Sequence, residues 1–151
     1  MTTARPTPME RALLEAEAAA ARGEVPVGAV IVDAEGAIVA ADGNRMRERV
    51  DPTAHAEIMV IREAAKVLGA IRLPACDLYV TLEPCPMCAA AISFARIRRL
   101  YYGAGDPKGG AVDHGPRLFQ ASSCHHAPEV YGGIGEHRAA ALLKDFFRER
   151  R

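Results

Sequence analysis

Residues 78–92 read LYVTLEPCPMCAAAI. The run Asp77 to Leu82, rich in β-branched and aromatic residues, predicts a strand. Pro86 suits the first turn of a helix, where a missing N–H costs nothing, and the alanine-rich segment after it carries that helix to about Ala95. A second strand is expected over Arg99 to Gly103. Strand, helix and strand in succession imply parallel pairing and hence an α/β class. Cys85 and Cys88 lie three apart at the helix start, which puts both sulfurs on one side of a first turn, where they can chelate a metal.

Upstream, Ile58, Ile61, Ala65 and Leu68 recur at helical spacing from Ala56, and Gly69 ends the pattern. His55 and Glu57 would point about 200° apart on a regular helix, so both can face one metal only if His55 sits at the non-helical start. Residues 9 to 22 predict a first helix stopped by Gly23. Val25 to Val32 and Ala37 to Ala41 predict an antiparallel pair closed by Asp33-Ala34-Glu35-Gly36. The glycine-rich stretch from Ala104 to Ser123 reads as a long loop with one short turn, of the kind that lines sites. An amphipathic helix over Glu136 to Arg150 ends the chain.

The 151 residues are half apolar and a quarter charged, which suits one domain over 1–151 with residues 1–8 as a flexible tail. Nineteen basic residues balance nineteen acidic ones, so no global field announces a nucleic-acid partner, although Arg45/Arg47/Arg49 and Arg96/Arg98/Arg99 are local clusters. Charges interrupt Met1 to Glu24 too often for a signal peptide, and no stretch is long enough to span a membrane. A cytoplasmic setting is therefore expected. There the spacing of Cys85 and Cys88 reads as a metal pair and not as a disulfide.

His55, Cys85 and Cys88 supply three zinc donors and leave a fourth position open, the mark of a reactive zinc. Two helix N-termini meeting at the metal favour thiolates. Glu57 is the uncommitted carboxylate that can take a proton from a metal-held water and deliver it elsewhere. The bland alternative is a structural zinc completed by Cys76 or Cys124, which would leave Glu57 without a reason to follow a ligand by two residues.

The stretches EVPVGAV (24–30), DPTAHAEI (51–58), LYVTLEPCPMCAAAI (78–92) and DFFR (145–148) resemble the bacterial tRNA-specific adenosine deaminases of the cytidine deaminase superfamily. The likeness is densest over 24–107, and Ala111 to Tyr131 departs from it. The resemblance implies a three-layer α/β/α fold, with a five-stranded mixed sheet and helices on both faces, acting as a homodimer. It implies one Zn2+ per subunit on His55, Cys85 and Cys88, with Glu57 as proton shuttle. The implied substrate is the wobble adenosine in the anticodon stem-loop of an arginine tRNA, attacked at C6 and converted to inosine. It also places Asn44 against the purine, the Ala56 backbone near the reacting edge, and Asp106 in the loop that meets the nucleotide.

Each assignment has a plainer competitor. Gly43-Asn44 and Asp106-Pro107 are ordinary turn chemistry. Phe146 and Phe147 share helical spacing with Leu142 and Leu143, which makes both core candidates, while Phe147 and Arg148 are also candidates for RNA or subunit contacts. Cys124-His125-His126 reads as loop packing before it reads as a second metal site. A small-molecule deaminase for guanine, cytosine or a nucleoside would keep every zinc residue; for guanine, Asp113 or Glu129 could accept the 2-amino group. A non-catalytic, zinc-stabilised RNA-binding module is the rival from another class.

Overall fold

The computed structural model describes residues 5–150. Helix α1 (Pro8–Ala21) opens on a capping box, in which the Thr7 side chain and the Glu10 backbone, and the Glu10 side chain and the Thr7 backbone, bond reciprocally. The expected tail over 1–8 thus meets the helix start at Thr7 and Pro8, and residues 1–4 lie outside those described. Strands β1 (Gly28–Val32) and β2 (Ile38–Gly43) pair antiparallel, closed by Gly36 at φ +81° and by the Asp33 carboxylate, which accepts from the N–H groups of Glu35 and Ala37. The first strand starts later than its apolar run suggests. Val25 to Val27 are held off the sheet, where the Val25 carbonyl accepts from the Asn44 side chain.

A short helix α2 (Met46–Arg49) follows, then α3 (Ala56–Leu68), β3 (Asp77–Leu82), α4 (Pro86–Phe94) and β4 (Arg99–Ala104). A strand β5 (Glu129–Tyr131) and helix α5 (Glu136–Glu149) complete the chain. The short α2 and β5 carry too few residues for any periodicity, so a pass along the chain yields neither. The sheet order is β2-β1-β3-β4-β5; β1 runs antiparallel to its neighbours and β3, β4 and β5 run parallel. This is the expected three-layer α/β/α fold with a five-stranded mixed sheet.

Alternation along the strands builds two cores. Ala29, Ile31, Leu78, Val80 and Leu100 face α3 and α4, packing on Val60, Ala64, Ala89 and Ile92. Val30 and Val32 face α1 and α5, packing on Met9, Ala12, Leu13 and Ala139. Covered on both sides, all five residues of β1 are buried. Helix α1 lies so close to β1 that a Cβ on Gly28 would stand 2.0 Å from the Ala12 carbonyl oxygen. On α5, Phe146 is buried but Phe147 is 51% exposed, so the helical spacing that suggests core for both holds only for the first.

Candidate active site

The loops before α3 and α4 bring the two sequence motifs together. Asp51 folds the approach to α3 by accepting from both the N–H and the hydroxyl of Thr53, at 2.8 and 2.7 Å. His55 then takes the N-cap position with extended φ −70°, ψ 154°, and Cys85 takes the N-cap of α4 with φ −73°, ψ 173°. Caps are usually short oxygen side chains that bond back to the helix. Neither His55 nor Cys85 does so. Their side chains turn toward each other instead, so the non-helical start expected for His55 is what the chain adopts.

Nδ1 of His55 lies 3.7 Å from Sγ of Cys85 and 3.5 Å from Sγ of Cys88. All three donor atoms fall within 4.8 Å of one another, and among the described residues no other His, Cys, Asp or Glu joins them. Zinc–nitrogen and zinc–sulfur bonds at a tetrahedral angle put the two ligand atoms about 3.6 Å apart. The residues present therefore fit zinc. Cys76 is buried beside β3, and Cys124 bonds to the His126 carbonyl and contacts Ser93; neither completes a fourth position.

Without metal the thiols divide their proton unequally. The Cys88 thiol hydrogen bond, against the cost of burial, holds Cys85 down at about 4, and the same bond with burial pushes Cys88 far up. The bond to Cys85 raises His55. Glu57, only 4% exposed, is pushed up to about 7 by burial, with Cys85 adding to the rise. A carboxyl poised near neutrality beside a donor cluster is suited to moving protons in both directions.

A cavity of about 210 Å³ opens on this cluster. Val25, Val27 and Met46 give it an apolar wall, Asn44 a polar one, and Asp106 and Gly109 close the far side. Asn44 is buried; its Oδ1 accepts from the Ala56 N–H at 2.9 Å and its Nδ2 donates to the Val25 carbonyl at 3.0 Å. It thereby ties the start of α3 to the apolar wall. Ala56 is fully buried with its N–H spent on Asn44. The Asp106 carboxylate accepts from the N–H groups of Lys108 and Gly109, closing its own turn. Phe147 and Arg148 line none of this cavity; Arg148 pairs with Asp145 on the surface.

Two buried carboxylates escape a search for motifs. Glu24 accepts the N–H groups of Arg47 and Glu48 at 3.1 and 2.9 Å and so anchors α2, which carries Met46 to the cavity. Glu83 accepts from Asp106, Val112, Asp113 and His114. Burial raises its carboxyl, but those hydrogen bonds outweigh it and hold the group below its ordinary range, ionised. The available signal was a glutamate standing inside a run too apolar to leave it in water, at Glu24-Val25-Pro26 and at Leu82-Glu83-Pro84.

A sheet of this order with a His/Cys/Cys donor cluster at two helix starts defines a deaminase with a zinc-binding region. The family profile described as the cytidine and deoxycytidylate deaminase zinc-binding region matches residues 3–104. Within that class, the chain belongs to the family of tRNA-specific adenosine deaminases. It is 64% identical over 143 residues to the tRNA-specific adenosine deaminase of Agrobacterium fabrum, covering 95% of this chain and 93% of the relative. It is also similar, with a TM-score of 0.89 and 62% identity over 92% of this chain and all of the other, to a structure from studies of A-to-I editing by tRNA:A34 deaminases at the wobble position. The guanine deaminase of Bacillus subtilis is more distant, with a TM-score of 0.65 and 34% identity over 98% of this chain and 94% of the other.

Proposed function

We propose that this chain deaminates the wobble adenosine of a tRNA anticodon loop, an arginine tRNA in the first instance, to inosine. The observation that carries the reading is the meeting of the His55, Cys85 and Cys88 donors with buried Glu57 in one cavity. His55, Cys85 and Cys88 would hold one Zn2+, and bound zinc supplies a water that ionises near neutral pH. Glu57 would carry a proton from the attacking water to N1 of the adenine, then carry the proton of the new C6 hydroxyl to the departing amino group, leaving ammonia and the carbonyl of inosine. Asn44 keeps one amide hydrogen beyond the one given to Val25, and offers it to a purine acceptor. Val25, Val27 and Met46 exclude solvent from the base, and the turn closed by Asp106 meets the nucleotide. The base reaches this depth only when splayed from the loop.

Two observations speak against guanine. Asp113 accepts the Tyr102 hydroxyl and Glu129 pairs with Arg99, so the two acids expected to take a 2-amino group are engaged elsewhere. The enzyme acts as a homodimer in this reading. A groove of about 550 Å³ between α3 and α4 presents Ile71 at 87% and Phe94 at 72% exposure, apolar surface that a second subunit would cover. No helix among the described residues is long and apolar enough to cross a membrane, and a cytoplasmic setting suits a tRNA substrate.

The test is to incubate zinc-loaded protein with an anticodon stem-loop bearing wobble adenosine and, separately, with guanine, cytosine and cytidine, and to follow products by mass. Inosine from RNA alone supports the reading; rapid xanthine formation with intact RNA overturns it.

A further inference from the structure

Glu83 lies two residues before Cys85, is 2% exposed, and has no task in the reaction proposed above. Its Oε1 accepts the Asp106 N–H at 2.9 Å and meets Nδ1 of His114 at 2.6 Å. Its Oε2 accepts the N–H groups of Val112, Asp113 and His114 at 3.1, 3.0 and 3.1 Å. With four backbone N–H groups already directed at the carboxylate, Nδ1 of His114 meets an acceptor and carries the hydrogen. These five donors exceed the roughly four lone-pair directions of a carboxylate, so the three on Oε2 share its lone pairs and no acceptor capacity is left over. The loop backbone closes in so tightly that a Cβ on Gly110 would stand 2.5 Å from the carboxylate.

These bonds grip both ends of segment 106–114, while the Pro84 carbonyl takes the Ala111 N–H at 2.9 Å between them. The same segment brings Asp106 and Gly109 to the cavity wall. The end of β3 therefore both delivers a cysteine to the donor cluster and holds the segment that brings Asp106 and Gly109 to the cavity, which Glu83 itself also lines. Of the groups bonded to Glu83, only the His114 ring is a side chain, and that side chain is 39% exposed at the loop surface.

We propose that Glu83 and His114 form a positioning pair that fixes segment 106–114 as the substrate-side wall, setting affinity for the RNA. The inference rests on the deaminase reading above. His114 acts through Nδ1 by completing the clasp, and its outer nitrogen is not needed. Asparagine separates the two, because it carries an N–H donor where the imidazole carries Nδ1 and has nothing in place of Nε2.

The experiment uses the zinc-loaded full chain with H114A, H114N and E83Q, measuring zinc content, steady-state kinetics on the stem-loop, and backbone amide exchange. H114A is expected to raise KM about tenfold and to lower kcat by less, the pattern of a lost binding contribution. H114N should recover most of the loss. Zinc content should stay constant, and amides at 106 and 112–114 should exchange faster in H114A and E83Q but not in H114N. Wild-type KM and exchange in H114A would overturn the proposal. So would an H114N as impaired as H114A, since the outer nitrogen would then touch RNA directly. If E83Q does not fold, the two His114 variants decide. Wild-type protein that forms no inosine refutes the deaminase reading instead, and the exchange measurements still judge the clasp.

Discussion

Asn44 Oδ1 accepts the backbone N–H of Ala56 at 2.9 Å, so the residue that leaves β2 sets the first turn of α3 and with it the directions of His55 and Glu57. Asn44→Ala strands that buried N–H, at a cost of about 1–3 kcal/mol before relaxation, and leaves the Val25 carbonyl with the Val27 N–H alone. The expected result is a midpoint lowered in denaturant titration together with reduced kcat. Asn44→Asp keeps the acceptor for Ala56 but sets oxygen against the Val25 carbonyl, and should fall between Ala and wild type in stability.

Glu57→Gln should retain zinc, because Glu57 is not among the three clustered donors, and lose about 10²–10⁴ in kcat. Metal analysis beside single-turnover rates checks this. Loss of zinc in Glu57→Gln would make the carboxylate a ligand and overturn its role as proton carrier.

The same residue gives the metal-free protein a pH signature. Burial raises its folded pKa from the ordinary glutamate value of about 4.5 to about 7, so the folded state binds the proton more tightly than the unfolded one. The associated stability is fully present below about 4.5 and is lost as pH rises toward 7, by up to about 3 kcal/mol. Metal-free Glu57→Gln should accordingly outlast metal-free wild type at pH 8, with the advantage vanishing at pH 4. Urea titrations at the two pH values measure it.

Zinc loading at pH 8 should release at least one proton, since Cys85 is already held as thiolate while the Cys88 thiol keeps its hydrogen until a metal displaces it. Calorimetry in buffers of differing ionisation enthalpy counts it. Chelation should lower the unfolding temperature and re-addition restore it, whereas Cys76→Ser and Cys124→Ser should keep full zinc content. Release of zinc by either would establish a structural site.

Gly28→Ala should cost about 1–3 kcal/mol, or more if α1 cannot retreat, because the new Cβ meets the Ala12 carbonyl at 2.0 Å. Phe94→Arg tests the dimer. With Phe94 72% exposed at the groove, the proposed dimer predicts that wild type runs as a dimer and the variant as a monomer by light scattering, without loss of zinc.

Local chemistry wrote much of this fold into the sequence. The α3 span from Ala56 to Leu68 follows from apolar periodicity and from Gly69 at its end, and the β3 span from Asp77 to Leu82 from its β-branched and aromatic residues. Parallel pairing of β3 and β4 follows from the helix between them. The three candidate donors follow from residue type and from the spacing of Cys85 and Cys88, and the two-residue step from His55 to Glu57 requires His55 at a helix start.

The tertiary structure decided what depends on distant partners. Phe146 and Phe147 have the same periodicity, but α5 turns only Phe146 inward, a choice made by the sheet it packs on. Val25 belongs to an apolar run yet lies off the sheet, its carbonyl shared by the Asn44 side chain nineteen residues on and the Val27 N–H. Glu24 and Glu83 stand in apolar runs that signal burial but not partners; they become organising centres only when the segments 47–48 and 106–114 fold over them. Spacing within one turn fixes which atoms can bind a metal. Burial of a carboxylate, and what then gathers around it, is settled by long-range packing that no local window contains.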